Sequence, residues 1–206
     1  MKYVIYILLT LFLLASCQKE EYVGTPRGMG TLVLETLSVQ TENVNTVFTR
    51  AVEPDLYVEI WQNGQLLTGQ RYEPGKVPGK LDLPAGVYLL KTYNQAYQDM
   101  SGWLDTEKGN MAFSAEKDFE IESNEINYLS VEVPMVNIGV SLKLPEGFSD
   151  RFKDYHFTAQ VGNRSVEISN GETAYFPLSE VTYILSATNN DGENKTKSKT
   201  IKSPVA

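Results

Sequence analysis

The chain has one cysteine and one histidine among 206 residues. A single thiol forms no internal disulfide, so packing alone must hold the fold. One imidazole leaves little for acid–base chemistry near neutral pH. His156 alternates with aromatics in 155–161, so it reads as a solvent-facing strand residue and not as a triad member. Metal centres draw on clustered His, Cys or carboxylate ligands. Only carboxylates are plentiful here, and they do not fall at EF-hand spacing. No spacing marks a carboxylate pair for glycoside hydrolysis. Gly28-Met29-Gly30 opens a strand pattern, so it is not a phosphate-binding loop before a helix. No catalytic residue, metal ligand or cofactor is therefore expected. Basic residues are also scarce: 18 Lys and Arg stand against 26 Asp and Glu, for a net charge of −8. Phosphate binding needs cations that displace counterions, so nucleic acid is not an expected partner. No stretch carries a long apolar period of 3.6 residues, which excludes an extended amphipathic helix.

The chain is 42% apolar, with twelve Tyr and eight Phe. That is enough for a core, and it favours strands. The apolar residues first appear as a run over 3–14, broken only by Thr10 and preceded by Lys2. A helix of that length rises about 18 Å, short of the roughly 30 Å hydrocarbon core, so a cleaved export signal is expected and not a membrane span. Ala15, Ser16 and then Cys17 follow, an order that resembles the bacterial lipobox. The resemblance implies cleavage after residue 16 and acylation of Cys17. Burial of acyl chains contributes about 0.8 kcal/mol per CH₂, and stable anchoring takes more than one chain. Gln18-Lys19-Glu20-Glu21 resembles the acidic export signal of Bacteroidetes surface lipoproteins. It implies an outer-membrane lipid anchor with the protein exposed at the cell surface. Residues 17–29 then read as a lipidated linker.

From Gly30 the dominant period is two. Residues 31–39 and 56–62 alternate, and Asn63-Gly64 fits a type I′ hairpin turn. Strands are expected at 87–93, 118–121 and 126–133, the last two paired across Ser123-Asn124-Glu125. Pro134 ends this block, because proline cannot donate to a central ladder. A second block alternates at 137–144 and 155–161. Its turns fall at Gly162-Asn163 and Asn189-Asn190-Asp191-Gly192, and 148–153 reads as one helical turn. Asn163-Arg164-Ser165 and Asn194-Lys195-Thr196 match the glycosylation acceptor pattern but read as turn residues. The expected class is all-β, with two tandem β-sandwiches. One spans 30–134. The other spans 135–206 and reads as short of one strand.

Two features carry functional expectations. The first is Phe48-Thr49-Arg50-Ala51, between the first two strands. With the lipobox, the Gly30, Leu32 and Leu34 strand, and Leu83-Pro84-Ala85-Gly86-Val87-Tyr88, it resembles fimbrillin-like lipoproteins of Bacteroidetes. Phe119 and Ile121, the strand from Asn137 to Val140, Ala174-Tyr175-Phe176 and Thr200-Ile201 follow in the order of the domain-of-unknown-function 4493 family. This resemblance implies a fimbrillin/transthyretin-like fold and processing by an arginine-specific protease between Arg50 and Ala51. It also implies release of strand 31–39 and replacement by a strand from another subunit. The implied function is non-enzymatic adhesion or assembly at the cell surface, with fimbrial subunits as partners. The second feature is the loop 94–117, where Tyr93, Tyr97 and Trp103 lie near Asp99, Asp105 and Glu107. Aromatics beside carboxylates can stack on sugars, and such sites concentrate in loops on rigid scaffolds. The alternative function is therefore a glycan-binding surface lipoprotein of a polysaccharide-uptake system.

Overall fold

The computed structural model describes residues 28–40 and 55–202, and these are almost entirely β. Cys17, Arg50 and Ala51 lie outside the described residues. In chain order the first block comprises β1 (Met29–Gln40), β2 (Leu56–Gln62), β3 (Gln65–Tyr72), β4 (Leu81–Pro84) and β5 (Gly86–Asn94). A short helix α1 (Gln95–Asp99) and a 3₁₀ turn (Met100–Gly102) follow, then β6 (Ser114–Ile121) and β7 (Ile126–Pro134). One sheet has the order β4-β1-β7 and the other β3-β2-β5-β6.

Strand periodicity explains the core. Leu56, Val58 and Ile60 point inward from β2, while Tyr57 and Trp61 on the opposite face are only half-buried. The inward set meets Leu32, Leu83, Val131 and Val133 of the facing sheet. Asn63 and Gly64 adopt φ of 51° and 75°, the positive pair that a type I′ turn demands.

β1 is placed by long-range contacts. It runs antiparallel to β4 over Met29–Leu32 and parallel to β7 from Thr31 to Gln40. Gly30 has a steric reason for being glycine: a Cβ there would overlap the Glu122 carbonyl oxygen. One expected pairing is corrected. The turn at Ser123-Asn124-Glu125 exists, with Asn124 at φ 61°. Yet β6 bonds to β5 and β7 bonds to β1, so the chain changes sheets there and makes no hairpin.

The second block comprises β8 (Asn137–Ser141), a helical turn α2 (Phe148–Arg151), β9 (Phe152–Val161), β10 (Arg164–Glu167), β11 (Thr173–Pro177), β12 (Val181–Asn189) and β13 (Asn194–Ile201). A two-stranded sheet, β11-β8, faces a four-stranded sheet, β10-β9-β12-β13. Val140, Leu142, Ala174 and Phe176 pack there on Ala159, Val166, Ile168 and Val181. The fourth strand of the larger sheet is exposed along its whole length. Its Lys195, Lys197 and Lys199 pair with Ala187, Leu185 and Tyr183, so they share the face that carries the core.

Candidate functional site

The segment between β5 and β6 is fixed at both ends by asparagine. Asn94 caps α1: its Oδ1 accepts from Tyr97 N at 3.1 Å and from Phe113 N at 3.0 Å. Its Nδ2 donates to Met111 O at 2.7 Å, which ties the start of the loop to its return. Asn137, at the start of β8, is 1% exposed. It accepts from Ala112 N at 3.0 Å and donates to Asn110 O at 2.8 Å. Asn is a strong N-cap residue because its short side chain reaches the unpaired amides of the first helical turn.

Arg164 holds the middle of the loop against the second sandwich. Its Nε donates to Leu104 O at 3.2 Å, Nη1 to Tyr175 O at 2.7 Å, and Nη2 to Glu107 O. The guanidinium lies 5.5 Å from the Trp103 ring centroid and 4.7 Å from that of Phe176. Burial lowers its pKa, while Asp105 and Glu107 oppose that shift. It stays cationic, since arginine is not deprotonated in proteins. Asp105 Oδ1 accepts from Ser165 N at 3.2 Å, and Tyr175 N donates to Lys108 O at 2.7 Å. Lys108 also pairs with Glu172, and that hydrogen bond is the first cause of the lowered Glu172 pKa. The loop is thus a joint between the two sandwiches.

The three aromatics expected to act together separate into two groups. Tyr93 and Tyr97 are neighbours, with ring centroids 6.1 Å apart. Tyr57 stacks on Tyr93 at 5.6 Å, and Arg71 lies over Tyr57. Tyr93 also donates from its hydroxyl to Glu59 at 2.6 Å. Burial first, and then this bond, raise the Tyr93 pKa. Glu59 is buried in the outer face of β2 and is further held by Trp61 Nε1 at 2.9 Å and Arg71 Nε at 3.4 Å. Trp103 instead sits against Gly109 and Arg164.

Beside Trp103 is an open surface cavity of about 380 Å³, lined by Gln98, Asp99, Ser101, Gly102, Trp103 and Glu107. Asp99 Oδ1 accepts from Gln95 Nε2 at 2.9 Å, and Glu107 Oε2 from Leu104 N at 2.6 Å. Among the described residues no group of His, Cys, Asp and Glu has the geometry for a metal ion. His156 is exposed, with Nδ1 2.7 Å from Glu167 Oε1. Sequence reasoning missed Gln98, Ser101 and the organising residues Asn94, Asn137 and Arg164. The Asn94 cap had a local signal, a strand followed by Asn and helix-forming residues. Arg164 had none, because its loop partners lie 57 and 60 residues away.

The family model described as "Domain of unknown function (DUF4493)" matches residues 28–206. No curated protein matches the chain. Among solved structures, the chain is similar to a candidate adhesin from Bacteroides ovatus, with 13% identity, coverage of 90% of this chain and 87% of that one, and a TM-score of 0.42. It is also similar to the Bacillus anthracis TIE protein, with 14% identity, coverage of 85% and 32%, and a TM-score of 0.31. A candidate carbohydrate-binding protein from Bacteroides uniformis has 14% identity, coverage of 86% and 100%, and a TM-score of 0.25.

Proposed function

We propose, from the premise that the chain belongs to the DUF4493 family, that it is a non-enzymatic cell-surface lipoprotein of fimbrillin-like type. In this reading Cys17 carries the lipid, and the protein serves adhesion or assembly through β-strand pairing. The observation that supports the reading is the position of β1. It is the central strand of its sheet, and β4 and β7 touch it from opposite sides without bonding to each other. Withdrawal of β1 would leave two facing edges of unpaired amides and carbonyls. It would also uncover Leu83, Val131 and Val133, which pack in the same core as Leu32. Such a groove accepts another strand: main-chain bonds supply affinity, and alternate side-chain pockets set the register. The chain between β1 and β2 contains Arg50-Ala51, so cleavage there would free β1 and leave β2 in place.

The test is the intact mass and N-terminal identity of protein isolated from native outer membranes, in monomeric and assembled fractions. The expected assembled form begins at Ala51, and Arg50→Ala abolishes it. Assembled protein beginning only at acylated Cys17, or assembly unchanged in Arg50→Ala, overturns strand replacement.

A further inference from the structure

We propose that the cavity beside Trp103 binds a neutral hexopyranose unit of a polysaccharide. Its volume, about 380 Å³, is within the range of small-ligand sites, roughly 300–1,000 Å³. Trp103 lines one side, and an indole offers apolar surface for the weakly positive C–H face of a pyranose ring. The other walls supply hydroxyl-binding groups of both kinds. The Gln98 amide, one group of which bonds to Tyr93, can still donate or accept, the Ser101 hydroxyl does both, and Asp99 and Glu107 accept. Each carboxylate has one oxygen already bonded within the loop, so among the described residues Asp99 Oδ2 and Glu107 Oε1 remain for sugar hydroxyls. At Gly102 a Cβ would meet nothing within 4 Å, so the backbone there is open to approach. Among the described residues no Lys or Arg lines the cavity, and two carboxylates do. The site therefore selects a neutral sugar over a uronate or a sulfated one.

The cavity is held in shape before any ligand arrives. Asn94 and Asn137 fix both ends of the loop, and Arg164 holds its middle. Pre-formed geometry lowers the ordering cost of binding. β1 contributes no residue to the cavity, so this inference stands apart from strand replacement.

The test is affinity electrophoresis of the mature chain in native gels containing galactomannan, xyloglucan or laminarin, with polygalacturonate as the charged comparison. The expected result is retardation by at least one neutral polymer and none by polygalacturonate. Retardation should weaken at least tenfold in a Gln98→Ala, Asp99→Ala double variant whose thermal unfolding matches the parent. Trp103 also contacts Arg164, so the double variant at the cavity rim carries the test. Absence of retardation in all three neutral gels, equal retardation by polygalacturonate, or an unweakened double variant overturns the proposal.

Discussion

Thr92 sits opposite Val58 between the sheets of the first sandwich, fully buried, and its Oγ1 has no hydrogen-bond partner among the described residues. An unsatisfied buried hydroxyl is costly, and removing it at constant shape recovers part of that cost. Thr92→Val is expected to stabilise the protein by about 1 kcal/mol. Urea unfolding should show a higher midpoint at an unchanged slope, because slope tracks the surface exposed and not the contact removed. Nothing in the sequence marks Thr92 as unusual. Threonine is a common strand residue, and a missing partner is visible only once neighbouring strands are assigned. Gly30 differs in this respect. Its place before Leu32 and Leu34 was legible as part of a strand pattern, but the reason for glycine, the Glu122 carbonyl, comes from a turn far along the chain.

At the scale of elements, local chemistry was legible and pairing was less so. Asn63-Gly64, Gly162-Asn163 and 189–192 each announce a hairpin, and each delivers one. The turn after β6 announces a reversal too, but turn chemistry does not say which sheet receives the next strand. The parallel match of β1 with β7 likewise has no local signature, since parallel strands are joined through distant chain. In the loop, alternation ends at Tyr93, and the cavity is lined by loop residues that Arg164 of the second sandwich holds in place. Its acidic and aromatic residues could be read from sequence, whereas their division into two groups could not. β13 presents a separate element-scale consequence. Its lysines lie on the face where apolar residues would continue the core, and it ends its sheet. Charge pointing along the core face discourages a second chain from pairing at an edge. Lys197→Val with Lys199→Val is expected to leave unfolding unchanged within about 0.5 kcal/mol. It should also produce concentration-dependent association in sedimentation velocity.

For the whole molecule, the two cores are separate, yet the first sandwich's long loop is bonded to the second through Arg164, Asp105 and Lys108. Arg164→Ala removes a guanidinium that donates to three backbone carbonyls, and is expected to cost about 2 kcal/mol. Arg164→Lys should recover little of this, since an ammonium lacks the planar fork. Hydrogen exchange is the check: amides near 103–109 lose protection, while those of β2 and β5 keep theirs. The direction of β1 has a mechanical meaning as well. The chain enters the sheet at the start of β1 and leaves for the second sandwich at the end of β7, and the two strands run the same way. A pull between those points draws the strands past each other lengthwise. Its load falls on the rungs of the ladder together and does not open them one by one, so the first sandwich resists tension applied between the start of β1 and the end of β7.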